Sequence, residues 1–297
     1  MFLRQKKDLS YENLVFPEKH VLSGGKRFKS SNKNRNYFFS IITVVLNNVN
    51  YIEDTIKTVI NQREDVEYII IDGGSKDGTL DIIKKYEDYI DLWTSHKDNG
   101  IYDAMNKGIK FSSGKFIGIL NSGDLYNANS LSIIKKYFIS KKNLDFVFGT
   151  VQKKTLKYGF KKNKIFWSFD FYPSHSSGFF ISSTAQKKIG LYDTDFKLSA
   201  DHDFFFRMLN NKFKGKATRK DELVGFFRKV GGSYSSTFST EDHLDEEVNI
   251  RKNNNQNSII ICILIINSYL RNLFKKKKYS ITFKTTCKLI SNVFKQT

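Results

Sequence analysis

FIGILNSGDLY, residues 116–126, is the stretch that decides the fold. Its first five residues are almost wholly apolar, and the run then stops on Asn121, Ser122, Gly123 and Asp124. Such a segment reads as a fully buried strand whose end delivers a carboxylate to the mouth of a sheet. The same signature occurs twice upstream: FFSIITVVL (38–46) ends on Asn47-Asn48, and EYIIID (67–72) opens into the turn GGSKDG (73–78). Helical spacing fills the intervals, at Tyr51, Ile52, Ile56, Val59 and Ile60 with Asn50 as the expected cap, and at Leu80, Ile83 and Tyr86. A short strand at 92–94, the loop HKDNG (96–100) and a helix through Ala104, Met105 and Ile109 complete a third unit. Strands alternating with helices of about ten residues call for parallel βαβ units with right-handed crossovers. Ligands of such sheets bind beyond the carboxyl ends of the strands, where Asp72, Asp98 and Asp124 are expected to converge.

Downstream, the pattern gives a helix at 130–138, a strand at 145–149, and a Lys-rich hairpin or loop to residue 164. It continues with a strand at 178–182, a helix opened by Asp201-His202-Asp203, and a capped, solvent-facing helix at 239–253. The expected division is an N-terminal extension (1–37), a nucleotide-binding half (38–125), a second half carrying the acceptor side (126–235) and a helical basic tail (236–297). The 297 residues, 40% of them hydrophobic, suffice for a proper core. Cys262 and Cys287 form neither a metal-ligand spacing nor a disulfide framework, which points to a reducing compartment. The N-terminus has no continuous apolar signal core, so a cytoplasmic location is expected.

The net charge of +19 admits nucleic acid, an anionic membrane or phosphorylated substrates as partners. Nucleic acid fits poorly, because no aromatic stacking positions are interleaved with the positive charge and strand-edge aspartates repel phosphate. From Gln256 onward there are eight Lys or Arg and no acid, beside the apolar run IIICILII (259–266). That run is shorter than the roughly 20 residues of a spanning helix and suits a segment lying on an anionic leaflet, expected over 258–288.

The turn DGGSKDG (72–78) matches neither a dinucleotide fingerprint nor a Walker loop. An Asp ending the strand there suits acceptance of hydrogen bonds from a nucleobase or ribose, or else an Asx turn. Asp124 suits a hard divalent cation, Mg²⁺ or Mn²⁺, which tolerates one or two protein carboxylates when water and phosphates complete its shell. The ordered segments IITVVLNN (41–48), IIIDGGSKDGT (69–79), SHKDNGIYDAMNKGIKFSSGKFIGILNSGD (95–124), HSSGFFIS (175–182) and IGLYDTDFKLSADHDFFFRML (189–209) resemble family 2 glycosyltransferases of the GT-A fold, most of all the exopolysaccharide and colanic-acid type.

The resemblance spans roughly residues 38 to 232 and implies an α/β GT-A domain: a mostly parallel central sheet with helices on both faces, followed here by the helical tail. It implies a nucleotide-sugar donor, UDP-linked, with Asp72 on the base and Thr43, Val45 and Asn47 lining the nucleoside pocket. Asp98, Asp103 and Asn121 fall in its donor segments. Asn121 and Gly123 stand where other members often carry aspartates of a DxD cluster, leaving Asp124 as the metal ligand. By the same resemblance Asp201 is the catalytic base that deprotonates an acceptor hydroxyl, with inversion at the anomeric carbon. His175, Asp203 and Arg228 are candidate contacts to acceptor or phosphate. The expected activity is hexosyl transfer to a lipid-linked or glycan acceptor at the inner face of the cytoplasmic membrane. The competing expectations are a sugar-nucleotide-binding scaffold without turnover and a basic nucleic-acid-binding protein.

Overall fold

The computed structural model describes residues 9–10, 21–29, 36–141, 143–169, 176–228, 239–275 and 282–294. Its centre is the strand β2 (Phe39–Val45), every residue of which is buried. Parallel neighbours flank it: β3 (Val66–Asp72) on one side, in register from Phe39–Val66 to Val45–Asp72, and β5 (Phe116–Ile119) on the other. Beyond β3 lies β4 (Leu92–Ser95), also parallel. The helices between these strands are α2 (Val49–Ile60), α3 (Thr79–Lys85) and α4 (Ile101–Phe111). Alternate residues of β2 feed two cores, Ile42 and Val44 packing with α4 and Phe39, Ile41 and Val45 with α2, so both faces of the sheet are covered. That two-sided burial is why these strands read as continuous apolar runs.

The sheet then changes hand of pairing. A short strand β6 (Leu125–Tyr126) and helix α5 (Ser130–Ser140) lead to β7 (Phe146–Phe148), β8 (Thr150–Gln152) and β9 (Leu156–Lys157). After these come β10 (Phe179–Ser182), α6 (Ser183–Ile189), α7 (Ala200–Asn210), β11 (Gly215–Ala217) and β12 (Leu223–Phe226). β10 inserts antiparallel between β5 and β7, and β11 extends β7 in parallel. The main sheet therefore has eight strands, and strands from both sides of residue 125 share it, while β6, β12, β8 and β9 form a second sheet of four.

Three expectations are corrected. The segment 1–37 does not simply precede the core: β1 (Leu22–Gly24) pairs antiparallel with β4 as the edge strand, α1 (Lys26–Lys29) follows, and the carbonyl of Leu9 accepts from the N–H of Leu191 at 2.9 Å. Asn50 does not cap α2, which already begins at Val49; Asp77 and Thr79 of the next unit accept the N–H groups of Val49 (3.0 Å) and Asn48 (2.9 Å) instead. The helix α8 (Thr240–Asn253) has the expected Ser239–Asp242 capping box but is not simply solvent-facing. It buries Leu244, Val248 and Ile250, and with them Glu247 and Arg251. The tail forms α9 (Ser258–Lys275) and α10 (Phe283–Phe294), packed on α8 through Ile261, Leu264, Ile265, Leu289 and Val293. No helix among the described residues is long and apolar enough to cross a membrane.

Candidate active site

β5 ends at Ile119, and the chain turns through Asn121 to Asp124 as the sequence requires. The N–H of Ser122 still reaches the carbonyl of Val44 (3.1 Å), so the turn stays at the level of the carboxyl end of β2. Gly123 has φ of 98°, a left-handed conformation that a Cβ disfavours. Against this edge lies a cleft of about 280 Å³ lined by Tyr102 and Met105 of α4, Ile119, Asn121, Lys153 and Asp201, together with Phe179, Ser176 and Tyr192.

Asp201 stands in the first turn of α7, where the helix dipole favours an anion. One of its carboxylate oxygens, Oδ1, accepts from the Tyr102 hydroxyl (3.2 Å) and from the N–H of His202 (2.9 Å). Tyr102 also donates to the carbonyl of Leu198 (3.1 Å), and burial together with Asp201 pushes its phenol well above its ordinary range. Tyr102 therefore stays protonated and holds Asp201 from the wall of the cleft. Behind Asp201, the His202 ring is paired with Glu247, which also meets Arg251. Burial works against the charged imidazole, but Glu247 prevails and raises His202 to about 9. Burial likewise opposes the Glu247 carboxylate, and His202 and Arg251 overcome it, lowering its pKa. The burial of Glu247 and Arg251 thus ties the tail to the base of the cleft.

Asn121 is in the cleft wall as well. Its Nδ2 donates to Ser176 Oγ at 3.3 Å, and its Oδ1 is buried with no hydrogen-bond partner among the described residues. Asp124, in the turn just past the wall, is only 3% exposed.

Asp72 differs from the expectation of direct contact with a base. It is 0% exposed. Its carboxylate accepts from Ser95 Oγ (2.5 Å), the N–H groups of Ser75 (3.0 Å) and Gly74 (3.3 Å), and the Ser75 hydroxyl. Thr43 is also enclosed, bonded to the Tyr68 hydroxyl at 3.1 Å, and Val45 is buried in the sheet. Of the three residues expected to line the nucleoside pocket, Asn47 is exposed, at φ 48°, accepting from the N–H of Lys76 (2.9 Å).

Asp98 comes up beside the same turn: a Cβ on Gly73 would lie 2.7 Å from Asp98 Oδ2, so only glycine leaves that carboxylate its place. Burial raises the Asp98 pKa, against the N–H of Gly100 that donates to it at 2.9 Å. Asp103 is occupied by Lys107 Nζ (2.9 Å) and the N–H of Asn99 (2.9 Å). Asp203 has its two oxygens taken by Arg207 Nε (2.7 Å) and Asn254 Nδ2 (2.9 Å). Arg228 pairs with Asp54 (3.0 Å) and donates to the carbonyl of Gly123 (2.9 Å), bracing the turn that carries Asp124. His175 lies outside the described residues.

Residues 40–211, more than half of the chain, match the family Glycosyl transferase family 2. The chain belongs to this family. An uncharacterized glycosyltransferase of Mycobacterium tuberculosis is 31% identical over 185 residues, covering 57% of this chain and 67% of the relative. A PGL/p-HBAD biosynthesis glycosyltransferase of Mycobacterium bovis is 28% identical over 215 residues, covering 69% and 82%. Among solved structures, TarS of S. aureus in complex with UDP-GlcNAc superposes with a TM-score of 0.63 at 16% identity, over 86% of this chain and 79% of that one. The mannosyltransferase PcManGT of Pyrobaculum calidifontis, in complex with GDP-Man and Mn²⁺, gives 0.58 at 13% identity, over 87% and 75%. This family 2 glycosyltransferase thus has the GT-A fold.

Among the described residues of this glycosyltransferase, no group of three His, Cys, Asp or Glu side chains could hold a metal ion by itself. What the turn after β5 offers is the carboxylate of Asp124 and the orphaned amide oxygen of Asn121. That donor set fits a hard cation arriving with a diphosphate, which supplies further oxygens, rather than a bare ion. Tyr102, Lys153 and Ser176 are cleft residues that the sequence did not single out. Tyr102 and Ser176 lie inside the segments 95–124 and 175–182 that carry the family resemblance, whereas Lys153 lies outside them.

Proposed function

We propose that the chain is an inverting hexosyltransferase that uses a nucleotide-diphosphate sugar, UDP-linked, in cell-surface polysaccharide biosynthesis. The observation that carries the proposal is Asp201 in the wall of a cleft that also takes in Asn121, at the carboxyl end of the central strands. Asp201 accepts the proton of an acceptor hydroxyl, whose oxygen bonds to the anomeric carbon from the face opposite the diphosphate. The carbon–oxygen bond to the β-phosphate breaks, its electron pair leaves with that oxygen, and the nucleoside diphosphate departs. A positioned base of this kind is worth a factor on the order of 10² to 10⁴. Asp124 and Asn121 would hold Mg²⁺ or Mn²⁺ carried in with the donor, and the cation supplies electrostatic neutralisation of the departing diphosphate.

The division at residue 125 is proposed as functional, with donor residues before it and acceptor and base residues after it on one shared sheet. Asn47, Asp98 and Asp103 border the nucleoside, and Asp72 acts at one remove by organising the turn 73–78 beside them. The acceptor is a lipid-linked or other glycan met at the inner face of the cytoplasmic membrane. Supporting that location, Ile259, Ile263, Ile266 and Leu270 form an exposed apolar stripe along α9, opposite the buried Ile261, Leu264 and Ile265. The basic residues of 258–288 lie alongside it in the sequence, where each near an anionic surface contributes about 1 kcal/mol.

The test is a panel of nucleotide sugars with Mn²⁺ or Mg²⁺, scored for thermal stabilisation and slow donor hydrolysis. Stabilisation by UDP compounds as a class and hydrolysis of one of them is expected. Indifference to every nucleotide sugar contradicts the proposal.

A further inference from the structure

The thinned acidic cluster after β5 leaves a question of charge. A departing diphosphate needs positive charge near it, and one carboxylate gathers less metal than several. The cleft itself contains a cation. Lys153 leaves the end of β8 and lines the cleft with Asn121, Ser176 and Asp201. Its neighbours Lys154 and Lys157 are exposed, whereas Lys153 is half-buried. Its Nζ lies 4.3 Å from the centroid of the Phe227 ring, and the N–H of Phe227 is tied to the carbonyl of Gln152 at 2.9 Å, so the ring is fixed beside the amine.

Three other cations near the site, among the described residues, are paired. Lys107 is paired with Asp103 (2.9 Å), Arg207 with Asp203 (2.7 Å) and Arg228 with Asp54 (3.0 Å). Lys153 has no ion pair among the described residues. Burial and the neighbouring Lys157 ammonium lower its pKa, with Asp124 acting in the opposite direction. Withdrawing an ammonium from water without a counter-charge is unfavourable, and an anion entering the cleft removes that cost.

We propose that Lys153 binds the diphosphate of the nucleotide-sugar donor and stabilises it as the leaving group, supplying positive charge in place of part of the metal site that the Asn121–Asp124 turn lacks. This rests on reading the cleft as the transfer site. In the transfer step Lys153 remains an ammonium. It donates to the phosphate oxygen that takes the electron pair of the broken carbon–oxygen bond, while Asp201 holds the acceptor proton. A compact ammonium suits a phosphate as a point charge.

Titration calorimetry of the full chain with UDP, with GDP in parallel, is run in EDTA and again with Mn²⁺. It compares the wild type with Lys153→Met and Lys153→Arg, and uridine serves as the ligand without a diphosphate. The wild type is expected to retain measurable nucleoside-diphosphate binding in EDTA. Lys153→Met should weaken it by roughly 10- to 100-fold, the range of a hydrogen bond to a charged group, with Lys153→Arg recovering part of the loss. Uridine affinity and the melting temperature should not move. Equal diphosphate binding by wild type and Lys153→Met in EDTA overturns the inference while leaving the transfer reading intact. Absence of any nucleotide binding by the wild type under both conditions overturns the transfer reading and this inference with it.

Discussion

Asp72 ends β3 and Asp201 opens α7 at the cleft, and they are opposites in how their charge is answered. Asp72 is enclosed, and Ser75, Gly74 and Ser95 meet its carboxylate from its own turn and the neighbouring strand. Asp201 is held on Oδ1 by Tyr102 and the N–H of His202, and it lines a cleft. A carboxylate whose lone pairs are filled from within is a structural device, because exchanging any of those partners for a ligand leaves a buried donor unmet. A carboxylate clamped from one side and open on the other can take a proton from something that enters. On the proposed function, the first region serves the fold and the second the transfer.

The largest expected effect is on turnover. Asp201→Asn should lower kcat by about 10² to 10⁴ while leaving the donor Kd and melting temperature near wild type, measured by product formation and calorimetry. Unchanged kcat would move the base elsewhere. Next comes the support behind Asp201. Glu247→Ala leaves the buried His202 and Arg251 without their anion and should destabilise the fold by roughly 3–5 kcal/mol in denaturant titration.

The same pair gives a pH signature. With His202 raised to about 9 from 6.5, its stabilisation is fully present below 6.5 and is lost as the pH rises through about 9. Melting temperature should therefore drop more steeply for wild type than for His202→Gln between about pH 7.5 and 9.5. Parallel curves would mean the imidazole is not charged in the fold. Smaller still, Asp72→Asn disturbs the 73–78 turn and should cost about 1–3 kcal/mol of stability with kcat at saturating donor nearly unchanged. On the exposed face of α9, Ile263→Glu should reduce flotation with phosphatidylglycerol vesicles without altering transfer to a soluble acceptor, and equal flotation would remove α9 from the proposed contact.

The central strands were legible in the sequence because burial on both faces writes them as continuous apolar runs, and the helix opened by Asp201-His202-Asp203 was legible through the acidic residues of its first turn. The edge strand β1 was not, since Leu22-Ser23-Gly24 carries no alternation and takes its conformation from β4. Nor was the enclosure of Asp72, which depends on a serine 23 residues further along. The charged residues of α8 make it read as a solvated helix, and only the fold brings Glu247 opposite His202. Lys153 is one lysine in a Lys-rich stretch, and the packing of β8 against β12 decides that it turns inward.

The most direct test of the account is a crystal structure with an intact, slowly hydrolysed nucleotide sugar and a co-bound acceptor. The account predicts the anomeric carbon in the cleft between Asn121 and Asp201, with the Asp201 carboxylate about 3 Å from the acceptor oxygen, the reach a general base requires. A donor whose anomeric carbon lies outside that cleft, with Asp201 facing no part of the sugar or acceptor, would contradict it.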